Sequence, residues 1–126
     1  MEQPPYRSSV LNKFRRHSRV RISAPFACAL SRCRVQRWLR RFHTDVGLVY
    51  DLSILGVRIS TEAEIKPGDE ITLSLRLPKQ IKPAEIAVAT VQWTKDQFFG
   101  LVFTKLSPSV QSRLEKYVSV VLTSVA

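Results

Sequence analysis

The sequence predicts a mainly β domain, a closed barrel or a sandwich of about six short strands, finished by one C-terminal helix. Three observations carry this. Apolar residues alternate with polar ones in several separate runs, the period of a half-buried strand. Clusters of turn-forming residues divide those runs. After Ser107 the apolar period changes from two to that of a helix.

The elements follow in order. Residues 1–13 are polar, with Pro4-Pro5 and Ser8-Ser9, and read as a flexible tail; residues 14–126 read as one domain. Val20, Ile22, Ala24, Phe26, Cys28 and Leu30 alternate with Arg21, Ser23, Pro25, Ala27, Ala29 and Ser31. Pro25 marks an edge position or a bulge there, because proline donates no ladder hydrogen bond. From Arg32 to Phe42 the chain is basic and aromatic: Arg32, Arg34, Arg37, Arg40 and Arg41 interleave with Val35, Trp38, Leu39 and Phe42. A short amphipathic helix and a long twisted hairpin both fit. Residues 46–50 form a second strand, and Val57, Ile59 and Thr61 mark a third. Lys66-Pro67-Gly68-Asp69 is a turn by composition. Ile71, Leu73, Leu75 and Leu77 alternate with Thr72, Ser74 and Arg76, the clearest half-buried strand. Residues 78–83 form a loop. Residues 85–94 form a fifth strand, with Ile86, Val88 and Thr90 on one face and Ala87, Ala89 and Val91 on the other. Trp93 falls in that pattern, in the core or at a barrel rim. Lys95-Asp96-Gln97 turns the chain into Phe98-Phe99-Gly100-Leu101-Val102-Phe103. Ser107 suits an N-cap and Pro108 the first helical position. Val110, Leu114, Tyr117, Val118, Val121 and Leu122 then share one face.

Length and composition bound the function. At 126 residues, 44% hydrophobic and 24% charged, the chain is large enough for one real core. No apolar run approaches the roughly 20 residues that span a bilayer. Met1-Glu2-Gln3-Pro4-Pro5 is not the start of a signal peptide, so a cytoplasmic location is expected. The net charge of +10 is uneven: residues 1–50 carry 11 Lys+Arg against 2 Asp+Glu, and residues 51–126 carry 9 against 8. The basic first part points to an anionic partner. Cys28 and Cys33 make no disulfide framework. With His17 and His43 they offer four metal ligands on paper, but Cys28 lies on an apolar face and reads as a buried thiol. No metal and no cofactor are expected.

Two motifs carry the chemistry. Arg15-Arg16-His17-Ser18-Arg19 places two arginines four apart in a basic segment. Arginine forks match phosphates or the N7/O6 edge of guanine. Asp51-Leu52-Ser53-Ile54-Leu55-Gly56 is a turn between two apolar runs; its Asp and Ser supply acceptors and a hydroxyl for the donor edge of a base. Together they describe a receptor for a small, anionic, guanine-bearing ligand. Neither is a catalytic motif. No P-loop, G-x-S-x-G or H-E-x-x-H pattern occurs, so an enzyme is not expected.

In these motifs, in their order and spacing, and in the strand tally and final helix, the chain resembles the PilZ family of bacterial cyclic di-GMP receptors. The resemblance covers roughly residues 14–122 and implies a six-stranded antiparallel β-barrel with a C-terminal helix. It implies that Arg15 and Arg19 clamp a phosphate and a guanine edge, with Arg16 an extra contact. It further implies that Asp51 accepts from guanine N–H groups, that Ser53 donates or accepts at the same guanine, and that Gly56 permits the turn and leaves room for ligand. Arg58, just beyond, is a further candidate. Phe14, before the first arginine, goes in this family with one ligand molecule per site. The ligand would be cyclic di-GMP, and the signal would pass to a protein partner through a conformational change. The basic stretch from Arg32 to Arg41 is the surface offered for that partner. Two alternatives stand beside this reading. One, the less expected, is a small basic barrel binding single-stranded nucleic acid through residues 32–42, whose affinity would fall steeply with salt. The other is a ligand-free module of the same fold that only contacts proteins, against which the intact R-x-x-x-R and D-x-S-x-x-G motifs argue.

Overall fold

The computed structural model describes residues 20–33 and 44–125. The expectations for the 1–13 tail, for Phe14, Arg15, Arg16, His17 and Arg19, and for residues 34–43 lie outside the described residues.

Six strands follow in sequence: β1 (Val20–Arg32), β2 (Asp45–Leu52), β3 (Gly56–Thr61), β4 (Glu70–Leu75), β5 (Ala84–Lys95) and β6 (Phe98–Lys105). They close into an antiparallel barrel in the order β1-β2-β3-β6-β5-β4, with β1 also pairing β4. Each strand contributes its inward residues to one core: Cys28 and Leu30, Val49 and Leu52, Val57 and Ile59, Ile71 and Leu73, Ile86 and Val91, Phe99 and Leu101. The helix α1 (Pro108–Val125) packs Val110, Leu114 and Val118 against this core. Ser107 Oγ accepts the Val110 amide at 3.3 Å, the capping geometry that a Ser-Pro start favours. Among the described residues no helix is long and apolar enough to cross a membrane.

Two departures from simple alternation shape the core. In β1 the ladder shifts between Arg21 and Phe26, so Ala24 and Pro25 are exposed and Pro25 sits within a bulge. In β5 the inward set changes from Ala84 and Ile86 to Ala89 and Val91. Shifts in its pairing with β4 and β6 displace Val88 and Thr90 from the inward positions. Leu77, beyond the end of β4, remains in the core. A β-bulge adds one residue to one strand and turns every later side chain to the opposite face.

Cys28 is buried as expected, and burial pushes its thiol up to about 12 against a backbone hydrogen bond from Gly47 that lowers it. Such a thiol behaves as a small apolar core residue and a poor nucleophile. No group of three or more His, Cys, Asp or Glu gathers among the described residues.

Candidate ligand-binding site

The D-x-S-x-x-G turn joins β2 to β3, and each of its residues has a different task. Ser53 N donates to Gly56 O at 3.0 Å. Ser53 Oγ accepts from the Leu55 and Gly56 amides at 3.1 and 3.2 Å. The Ser53 side chain is wholly buried; it holds the turn from inside. Phe103 N donates to Leu55 O at 2.9 Å and pins the turn to β6. Gly56 does not take a left-handed φ. Its requirement is steric, because a Cβ there would lie 2.4 Å from the Leu101 carbonyl oxygen.

Asp51 is the member of the motif whose carboxylate faces outward. Gly47 and Val49 point inward, and strict alternation would send Asp51 inward too. The ladder with β3 shifts between Val49 and Asp51. The bulge turns Asp51 to the outer face and gives Leu52 the inward position. Arg58 Nε donates to Asp51 Oδ2 across the hairpin. The Arg58 guanidinium also lies 5.0 Å from the Phe98 ring and 5.8 Å from the Tyr50 ring. Those two rings meet edge to face at 5.1 Å. A carboxylate and an aromatic pair thus hold Arg58 in one orientation.

Trp93 joins the same site by the same device. Val91 points inward, so parity would bury Trp93 as well. The ladder between β5 and β6 shifts between Val91 and Trp93, and the indole emerges 41% exposed. It lies over Gly100, where a Cβ would come within 2.0 Å of Trp93 Nε1. Glycine at 100 makes the seat for the ring.

Read across the strands, these residues form one row. Arg21 pairs with Asp51, Asp51 with Arg58, Arg58 with Gly100, and Gly100 with Trp93. The row runs over β1, β2, β3, β6 and β5. With strands about 4.8 Å apart it is about 19 Å long. It offers two guanidinium groups flanking a carboxylate, then an open aromatic face. A concavity of about 40 Å³ lies between Asp51, Gly56, Arg58, Trp93 and Gly100. Nucleotide-sized pockets hold roughly 300–1,000 Å³, so the described residues form a floor and not a closed pocket.

The structure therefore brings Asp51, Ser53, Gly56 and Arg58 together, and places Arg21 and Trp93 beside them. Val20, the residue after Arg19, pairs with Leu52, the residue after Asp51. Of the basic stretch from Arg32 to Arg41, the described Arg32 is tied down. Its guanidinium donates to Glu64 O at 2.5 Å and to Asp69 Oδ2 at 3.4 Å.

The comparisons agree with this architecture. No curated protein sequence matches the chain. Among solved structures, Escherichia coli YcgR in complex with c-di-GMP superposes with a TM-score of 0.65 at 18% identity, covering 87% of this chain and 46% of that one. The PilZ domain of the same protein with c-di-GMP gives 0.62 at 17% identity, covering 87% and 92%. The Bacillus subtilis inhibitor of motility MotI/DgrA gives 0.64 at 17% identity, covering 85% and 51%. The chain spans about half the length of MotI/DgrA and of intact YcgR. At these identities the likeness bears on the fold. The PilZ domain matches residues 13–119, most of the sequence and both arginine and D-x-S-x-x-G motifs. With its closed six-stranded barrel and terminal helix, the chain belongs to the PilZ domain family.

Proposed function

We propose that this protein is a receptor for cyclic di-GMP, bound on the outer face of the barrel along the row from Arg21 to Trp93. The observation that carries this reading is the pairing of Val20 with Leu52. It sets the chain leaving Arg19 directly beside the turn that presents Asp51. A floor without walls needs a second element to enclose a dinucleotide, and the segment bearing Arg15, Arg16 and Arg19 is the one covalently placed to supply it. Arg15 and Arg19 clamp phosphate and guanine edge, and Asp51 accepts from guanine N1–H and N2–H. Ser53 and Gly56 act by shaping the turn. The role is binding, not catalysis.

Titration calorimetry with cyclic di-GMP tests the proposal, with GTP and cyclic di-AMP as controls. Saturable binding of cyclic di-GMP alone is expected. Adenine does not offer the donor pair that Asp51 accepts from, and a desolvated carboxylate left unpaired is costly. Equal binding of cyclic di-AMP would remove Asp51 as the base reader.

Trp93 supplies a stacking face for one guanine. Stacking on an aromatic side chain contributes roughly 1–3 kcal/mol, so Trp93→Ala should weaken binding by about 5- to 150-fold. In a Trp38→Phe background, cyclic di-GMP should change the emission of Trp93; unchanged emission at saturation would place the base elsewhere.

The signal is a conformational change at the junction before β1, read by a protein partner, with the basic stretch from Arg32 to Arg41 as a contact surface. A ligand shifts such an equilibrium only by binding one state better than the other. Hydrogen exchange should show protection rising across residues 14–21 and 51–56 with ligand, and little change in α1. Binding without added protection at residues 14–21 would mean a preformed site.

A further inference from the structure

The ligand row leaves a second surface unused. Between α1 and the loop from Arg76 to Pro83 runs a groove of about 730 Å³, far larger than the concavity at Asp51. Its apolar members are conspicuous. Ile81 is 97% exposed and Val120 is 58% exposed. Tyr117 forms part of the lining and packs edge to face on Phe26 of the core at 5.9 Å, so the groove is continuous with the barrel interior.

The rim is built rather than loose. Arg113 Nε and Nη2 donate to Gln80 Oε1 at 2.8 and 2.6 Å, and Nη1 donates to Pro83 O at 3.1 Å. One side chain of α1 thereby fixes the loop. Lys79 holds a left-handed φ of 65°, uncommon and strained for a lysine. Strain of this kind persists where surroundings impose it.

The charge around the groove has one sign. Among the described residues Lys79, Arg113 and Lys116 line it and no acidic residue does, and Arg76 and Lys82 lie in the same loop. This decides the occupant. Residues 1–19 carry five Lys+Arg against Glu2 alone, and residues 34–43 carry four arginines and no acid. Neither segment of the chain complements the groove. A second copy docked about a two-fold axis would set basic rim against basic rim. A concave, pinned groove also matches projecting side chains better than a flat lipid surface.

We propose that the groove between α1 and the loop at residues 76–83 is a docking site for an acidic, amphipathic peptide segment of another protein. Apolar side chains of that segment enter between Ile81, Tyr117 and Val120, and its carboxylates meet Lys79, Lys82 and Lys116. The site stands independently of what binds at Asp51.

The test uses the full chain as bait for a random-peptide display library, with Ile81→Asp/Val120→Asp as the counter-selection bait. Both residues are exposed, so the variant should fold and bind cyclic di-GMP as the parent does. Enriched peptides should combine apolar residues at helical spacing with net negative charge. The leading peptide should bind at least about tenfold more weakly to Lys116→Glu, and its affinity should fall with salt. No enrichment, enrichment without acidic residues, or equal capture by the double variant would overturn the proposal. Sedimentation with phosphatidylglycerol vesicles that is lost in the double variant would also overturn it, by assigning the groove to a membrane surface.

Discussion

An Arg15→Ala/Arg19→Ala double variant is expected to fold normally and to lose nearly all affinity for cyclic di-GMP. Each bidentate arginine contact contributes roughly 1–3 kcal/mol. Treated as independent, two such losses total about 2–6 kcal/mol, or roughly 30- to 20,000-fold in Kd. Among the described residues the row itself brings two guanidinium groups, those of Arg21 and Arg58. Arg58 is already engaged by Asp51, and Arg21 stands at the far end of the row from Trp93. On the proposed reading most of the phosphate charge is then met by the segment before β1. Calorimetry on the double variant checks this, with a thermal melt to establish folding. Binding within a few-fold of the parent would show that the arginines are not the clamp.

The second large effect is on stability. Gly56→Ala is expected to destabilise the barrel by about 3 kcal/mol, a large overpacking cost, lowering Tm by roughly 10 °C. The added methyl would meet the Leu101 carbonyl oxygen at 2.4 Å. That oxygen belongs to the backbone of β6, which β3 pairs on one side and β5 on the other, so it has no cheap way to retreat. Gly100→Ala gives the contrast. There the added methyl meets the indole of Trp93, the end of a flexible side chain that can swing outward. Gly100→Ala should therefore cost less stability and more ligand affinity. Thermal melts of the two variants side by side decide the matter; equal Tm values would refute the steric account of Gly56.

Much of the fold was legible because its signals are local. Alternation in residues 71–77 and the Ser107-Pro108 cap both specify their elements without help from distant chain. Pro25 marked the bulge of β1, but the bulges of β2 and β5 were not legible. Period-two reading assigns Trp93 to the inside or the rim, and only the shift between Val91 and Trp93 turns it out. The same holds for Val88 and Thr90, displaced from the inward face of β5. A bulge is set by how two strands fit around a barrel, which no single run of residues records.

The site divides along the same line. The D-x-S-x-x-G motif was found from sequence, but its residues do not share one role. Ser53 and Gly56 meet demands of the turn and of β6, while Asp51 faces the row. The Asp51–Arg58 pair had a readable signal. A hairpin closed at Leu52 and Val57 necessarily sets Asp51 opposite Arg58. Likewise a turn at Asp96-Gln97 sets Trp93 opposite Gly100. Counting outward from a turn finds such pairs; searching for motifs along the chain does not.

Closure of the barrel has a consequence for how the protein communicates. With β1 paired to both β2 and β4, every described strand has a neighbour on each side. Along the paired stretches of the described strands no backbone N–H and C=O groups remain free to accept a strand from another protein. Recognition over those stretches must then pass through side chains. Side-chain contacts, unlike a backbone ladder, change one residue at a time. A scaffold of this kind can exchange one partner for another by surface substitution while its core and its ligand row stay as they are.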